Sequence, residues 1–278
     1  WFVEGYNLFK LYKEAFTPFE WHEDLFEFAR MHKIILFSTP FDETAVDLLE
    51  TVNAPAYKVA SFEITDLPLI DYVSSKGKPV LLSTGMASAD EIGEALECCY
   101  KNGNRDVLLF HCISNYPADV RSSHIGDVSY LADHFKVEVG LSDHTMSNLA
   151  SVIAITKGAA AIEKHFKLDD LECGPDSSFS ILPSQLKSLC EDCENTFEAV
   201  KSNKLQRNHN ELANLRFRRS IYFVKSLTKG QKITKEDIRR IRPGYGLKPK
   251  YFDKVIGKIV TMDVKHGDAV TLDILSEE

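Results

Sequence analysis

The sequence predicts a parallel α/β sheet followed by a small β-rich domain, and three observations carry that prediction. From residue 34 onward, short β-branched runs alternate with helical patterns. The runs are continuously apolar, as strands are when helices cover the sheet. After residue 215 the alternation gives way to short strands, glycine turns and one helical turn.

The chain opens on WFVEGYNLFKLYKEAFTPFEWHEDLFEFARMH, a helical pattern with no strand before it. The predicted strands are then IILFSTP (34–40), YKVAS (57–61), PVLLSTG (79–85), VLLFHCIS (107–114), VEVGLSDH (137–144) and IEKHF (162–166). Between them lie the helical patterns DETAVDLLETV, DLPLIDYVSSK, SADEIGEALECCYKN, IGDVSYLADHF and SNLASVIAITKG, and PSQLKSLCEDCENTFEAVKSN follows the last strand. Capping residues mark several starts: Asp42, Ser88 with Glu91 three residues on, and Ser184 with Lys187 where a glutamate would serve better. The polar stretch SNKLQRNHNELANL (202–215) reads as a linker, which makes 1–201 one domain and 216–278 another.

Two architectures fit the alternation. Six strand-helix units suit a doubly wound sheet, yet no GxGxxG follows any strand. A (β/α)8 barrel typically takes about 250 residues, more than the first domain supplies. A barrel lacking its first two strands would open on a helix, as this chain does.

Composition bounds the function. The 278 residues are 44% hydrophobic and 27% charged, enough to bury a large core. No apolar run approaches the roughly 20 residues of a membrane span, and no signal-peptide pattern opens the chain, so a cytoplasmic protein with no membrane partner is expected. Six cysteines, one pair adjacent, suit a reducing compartment. Cys190 and Cys193 form a single CxxC within a helical pattern, weak grounds for zinc. A net charge of -8 argues against nucleic acid. Charge is uneven, however: residues 216–278 hold 15 Lys+Arg and 8 Asp+Glu, leaving the rest strongly acidic. The basic segment therefore packs on or near the acidic body, helps gather an anionic ligand, or is simply solvated by itself.

Chemistry collects at the strand ends: Ser38-Thr39, Lys58 and Ser61, Ser83-Thr84-Gly85, His111 and Ser114, Ser142-Asp143-His144, and Lys164-His165. In a parallel barrel these ends converge on one face, and hydroxyls with a lysine there donate hydrogen bonds and positive charge to a phosphate or carboxylate. His144 and His165 end successive strands, so they would stand about 5 Å apart, close enough to share a metal of the Mn, Zn, Fe or Mg type. His111 lies one strand earlier and faces the interior or this rim. His22, His32, His124, His134, His209 and His266 fall on helices or loops and read as solvated. After His165, the loop KLDDLECGPDSSFSIL could hold Asp176 over the mouth, and RPGYG (242–246) is a turn that exposes Arg242 and Tyr245.

In this order the motifs TPFEWH, FSTPFDETAVDLL, PAYKVASFEITDLPLI, GKPVLLSTGMAS, HCISNYPA, GLSDHT, AIEKHF, GPDSSFS, RFRRSIYFVK and RPGYGL run through essentially the whole chain. They resemble the sialic acid synthase (nonulosonate synthase) family, and TPFEWH, ASFEI and GPDSSFS are closest to its pseudaminic acid branch. The resemblance implies a TIM barrel followed by an antifreeze-like (SAF) domain. It implies condensation of phosphoenolpyruvate with an open-chain N-acetylated amino sugar and water, giving a nine-carbon 2-keto acid and phosphate. The expected sugar is 2,4-diacetamido-2,4,6-trideoxy-L-altrose, with N-acetylneuraminate or legionaminate synthesis as the alternative.

By the same resemblance, a divalent metal, Mn or Mg, is held by His144 and His165. Phosphoenolpyruvate is held by Thr39, Lys58, Ser61, Ser83, Ser114 and Ser142. Glu63, Tyr116 and Asp176 match sugar-binding positions, with Lys58, Glu63, His144 and His165 as the catalytic set. Arg242 matches an arginine that reaches the sugar from the partner subunit of a swapped homodimer, which would account for the uneven charge. In one respect the chain departs from the family pattern, which begins with two further strands carrying a glutamate and a lysine of the site. The expectation is therefore a fragment or truncated product with two exposed sheet edges, poorly soluble or inactive alone. A binding-only remnant and an aldolase that consumes no phosphoenolpyruvate are the competing readings.

Overall fold

Hydrogen bonding joins the apolar runs into a five-stranded parallel sheet whose strand order is that of the sequence. A doubly wound sheet reverses its order at a switch point and a barrel does not, so the alternation resolves into a curled half of a (β/α)8 barrel. The computed structural model describes residues 2–3, 6–169, 171, 174–201 and 207–276. The chain divides between residues 202 and 203 into two compact units.

The opening differs from the expected run of helix. β1 (Phe2–Val3) pairs antiparallel with β2 (Tyr6–Asn7), and only then do α1 (Leu8–Ala15) and α2 (His22–Met31) follow. The Asn7 side chain accepts from Lys10 N to start α1, and Pro18, which cannot continue a helix, separates the two. The run 34–40 makes a single bridge, Ser38 to Tyr57, in place of a full strand. It ends on Pro40, which has no N–H to extend the ladder.

The barrel then alternates regularly: α3 (Glu43–Thr51), β3 (Tyr57–Val59), α4 (Leu67–Ser74), β4 (Val80–Ser83), α5 (Ala89–Lys101), β5 (Val107–Cys112), α6 (Asp127–Phe135), β6 (Glu138–Ser142), α7 (Leu149–Thr156), β7 (Ile162–Glu163) and α8 (Pro183–Val200). Asp42 accepts from Ala45 N, and Ser88 with Glu91 forms a reciprocal capping box. Ser184 does not cap α8: the helix starts earlier, with Gln185 accepting from Leu182 N. The last predicted strand is shorter than its apolar pattern, because beyond Glu163 the chain turns to bridge Phe166 with Ile181.

Period two sorts the strands. Tyr57, Val59, Val80, Leu82, Val107, Leu109, Val139 and Leu141 belong to the core packed with the helices. The intervening Lys58, Ser83, Cys112 and Ser142 face the other way and line a cavity. Gly140 is required there, since a Cβ would stand 2.6 Å from the Phe110 ring and 2.7 Å from Ala161 O.

In the second unit β8 (Ser220–Phe223) pairs antiparallel with β9 (Ile238–Ile241) around a core of Ile221, Phe223, Ile233, Val260 and Val270. A single helical turn, α10 (Phe252–Val255), belongs to it; of the expected linker, 202–206 lie outside the described residues and the rest is largely helical. It contains α9 (His209–Leu212), started by Asn208 and Glu211, and leads into a 3-10 turn at Ala213–Phe217. Among the described residues no helix is long and apolar enough to cross a membrane.

Candidate active site

Two positions at the end of each strand point into the barrel. Register sets Cys112 opposite Ser142 and Ser142 opposite Glu163. Two residues further on, the same face carries Ser114, His144 and His165. The result is a cavity of about 300 Å³ lined by Thr39, Lys58, Ala60, Ser61, Ser83, Cys112, Tyr116, Ser142, His144, Glu163, Lys164 and His165.

Lys58 is buried and donates to Ser83 Oγ at 2.7 Å, while Glu163 Oε2 lies 3.4 Å from its ammonium. A buried cation needs compensation, and here one carboxylate and one hydroxyl supply it. Gly85 N donates to Ser61 Oγ at 3.1 Å, and Cys112 Sγ stands 3.0 Å from the same oxygen. Ser114 Oγ and Glu63 Oε2 are buried without a hydrogen-bond partner. An orphan of this kind costs about 1–3 kcal/mol until a ligand or water meets it. Burial also holds the Glu63 carboxyl above the usual carboxylate range, favouring its protonated form.

The imidazoles of His144 and His165 lie with ring centroids 5.4 Å apart. His144 Nδ1 donates to Ile113 O at 2.9 Å, which leaves Nε2 as an acceptor, here of the Ser142 hydroxyl at 3.3 Å. Burial, aided by the neighbouring His165, lowers the His144 pKa and favours the neutral form that ligates metals. Asp176 Oδ2 approaches His165 Nδ1 at 3.5 Å, bringing the GPDS loop to the same mouth. Two imidazoles, one with its tautomer fixed by a carbonyl, fit a divalent cation. Among the described residues no group of three or more His, Cys, Asp or Glu gathers as a metal cluster. Tyr116 packs on His144 at 4.3 Å and on Phe179 at 5.1 Å, walling this side, and burial raises its phenol pKa.

Not every polar strand end faces the cavity as a ligand group. Asp143 and Lys164 pair at 3.0 Å, and Asp143 also accepts from Thr145 N and Ser151 Oγ, so together they pin the turn that carries His144. Thr84 Oγ1 donates to Phe110 O, and the His111 ring is bonded to Ser123 O. His22, expected in solvent, is buried with Nδ1 donating to Pro18 O. Glu63, Ser114 and Asp176 adjoin the cavity without lining it. Arg242 belongs to the second unit, where Arg219, Lys235, Arg239 and Arg240 share its open groove. Glu163, Cys112 and Phe179 are functional candidates that the strand-end motifs missed. For the first two the signal was present: each stands two residues before a singled-out side chain, hence on the same face.

Gly85 is the keystone of the hydroxyl cluster. A Cβ there would lie 2.8 Å from Cys112 Sγ and from Ser61 Oγ, and would collide with Ser114 Oγ. Gly85→Ala should therefore cost about 1–3 kcal/mol by overpacking and lower the melting temperature by several degrees. An unchanged melting temperature would show that the cluster has room for an added methyl group.

Comparison with known proteins matches the NeuB family over residues 3–205 and the SAF domain over residues 218–275. The pseudaminic acid synthase of Helicobacter pylori is 38% identical over 268 residues, covering 96% of this chain and 79% of the relative. An N,N'-diacetyllegionaminic acid synthase of Campylobacter jejuni is 34% identical, covering 90% of this chain and 75% of the relative. Among solved structures, the spore coat polysaccharide biosynthesis protein spsE of Bacillus subtilis superposes with a TM-score of 0.65 at 28% identity, covering 98% of this chain and 82% of that one.

Proposed function

The chain belongs to the NeuB family, and from that premise we propose that it joins phosphoenolpyruvate to 2,4-diacetamido-2,4,6-trideoxy-L-altrose. It is a phosphoenolpyruvate-dependent sugar acid synthase, a transferase. The observation that carries the proposal is the convergence in one cavity of a buried lysine, a ring of hydroxyls and an imidazole pair. The first two suit the phosphate and carboxylate, and the third would suit a divalent metal that supplies Lewis-acid polarisation of the aldehyde.

In the reaction, C3 of phosphoenolpyruvate attacks the aldehyde carbon of the sugar, whose oxygen takes up a proton. Water adds to the cationic C2, and the C2–O bond to phosphate breaks, leaving the 2-keto acid and inorganic phosphate. Lys58, Thr39, Ser61, Ser83, Ser114 and Ser142 hold phosphoenolpyruvate. Glu63, whose carboxyl burial biases toward the protonated form, supplies the proton at the aldehyde oxygen, and the water that adds at C2 returns one to it. Tyr116 and Asp176 position the sugar. A divalent metal, Mn or Mg, held by His144 and His165 would polarise the aldehyde. The active form is a homodimer in which Arg242 of one copy reaches the acetamido group bound by the other.

The sugar is the finer part of the proposal. It is supported by TPFEWH, ASFEI and GPDSSFS and by the 38% identity to a pseudaminic acid synthase. The second reading, a legionaminate synthase, draws on the 34% relative. Comparing kcat/KM for the altrose sugar, its legionaminate counterpart and N-acetylmannosamine decides between them. The altrose sugar should lead by at least about tenfold, the scale of one mismatched polar contact. Preference for either competitor would overturn the choice of sugar while leaving the synthase class intact.

A further inference from the structure

We propose that the Cys112 thiol is a positioning group that fixes the Ser61 hydroxyl as a donor to the anionic ligand, an inference that rests on the phosphoenolpyruvate reading of this cavity. A serine hydroxyl has one proton to give and two lone pairs. At Ser61 one lone pair is taken by Gly85 N–H at 3.1 Å, since a backbone amide can only donate. Cys112 Sγ lies 3.0 Å from the same oxygen, close enough for the thiol proton to take the second. With both lone pairs filled, Ser61 keeps only its O–H to offer, and the acceptor it meets is the ligand.

Sulfur suits this task better than oxygen. It is a weak acceptor, so when Ser61 turns its proton toward a phosphate or carboxylate oxygen little is lost at the thiol. The parts also differ in rigidity. Ser61 begins a 3-10 turn, Ser61–Glu63, beyond the end of β3, whereas Cys112 closes β5 and is laddered to Ser142. A strand atom thus anchors a loop hydroxyl. Contact is direct, because the side-chain-free Gly85 lets Ser61 Oγ and Cys112 Sγ meet where a Cβ would come within 2.8 Å of both.

The test is a double-mutant cycle read by calorimetric binding of phosphoenolpyruvate, with steady-state kinetics beside it. Cys112→Ala should weaken binding about three- to tenfold, the span of one hydrogen bond. The loss should appear in KM for phosphoenolpyruvate more than in kcat. Cys112→Ser, which keeps a donor, should recover most of it at a similar melting temperature. In a Ser61→Ala background the Cys112→Ala effect should vanish. An unchanged affinity in Cys112→Ala, equal losses in the Ala and Ser variants, or full additivity with Ser61→Ala would each overturn the role. If the protein binds phosphoenolpyruvate but forms no keto acid, the synthase reading fails and the cycle still decides the role of Cys112. If it does not bind phosphoenolpyruvate at all, both fail.

Discussion

Replacing Lys58 with methionine is expected to weaken phosphoenolpyruvate binding by roughly ten- to hundredfold, the range of about 1.5–3 kcal/mol for a hydrogen bond to a charged group. The geometry pushes the effect toward the upper end. Lys58 is buried, donates to Ser83 Oγ at 2.7 Å and faces Glu163 at 3.4 Å. Methionine preserves the stem's volume but removes the cation, so Glu163 then presents an uncompensated charge to an anionic ligand. Binding and KM for phosphoenolpyruvate should change together, with the melting temperature far less affected. A Lys58→Met protein that binds phosphoenolpyruvate normally would remove the cation from the ligand site and make the Lys58–Glu163 pair purely structural.

His165→Ala is expected to have the largest effect, lowering affinity for a divalent metal by more than about a hundredfold and abolishing turnover with it. One imidazole of the pair is lost, while His144 stays in place because Nδ1 remains bonded to Ile113 O. Truncation also opens space against Phe179, whose ring lies 4.9 Å from that of His165. His165→Gln, closer in size, separates the two causes: metal affinity should fall in both variants and stability mainly in the alanine one. Metal titration checks this directly, and retained affinity in either variant would return both histidines to structural roles.

The barrel was legible because its signals are local and redundant. From residue 42 on, continuous apolar runs and helical periods agree, and the caps at Asp42 and Ser88 both appear in the structure. The run 34–40 misled because its β-branched residues suit a strand, whereas pairing depends on partners that a sequence window does not contain. The opening antiparallel pair of β1 and β2 is too short to leave a pattern. Ser184 looked like a cap because of its residue type, but Pro183 at the first helical position moved the start upstream. At the site, hydroxyls and histidines stood out by chemistry. Cys112 and Glu163 did not, although period two from Ser114 and His165 would have placed them on the same face. Glu163 was obscured by its apolar run, AAAIEKHF, and only its 3.4 Å approach to Lys58 reveals its part. Arg242 lies in the other unit, where no periodicity connects it with the barrel rim.

On the proposed function, one cavity uses phosphoenolpyruvate to build a carbon–carbon bond and releases its phosphate. The most direct measurement is inorganic phosphate released by the purified protein from phosphoenolpyruvate, with and without manganese and 2,4-diacetamido-2,4,6-trideoxy-L-altrose, followed by mass analysis of the product. Release is expected only when sugar and metal are both present, with one nine-carbon 2-keto acid formed for each phosphate. Cleavage of a 2-keto acid without consumption of phosphoenolpyruvate, or phosphate release that ignores the sugar, would contradict it.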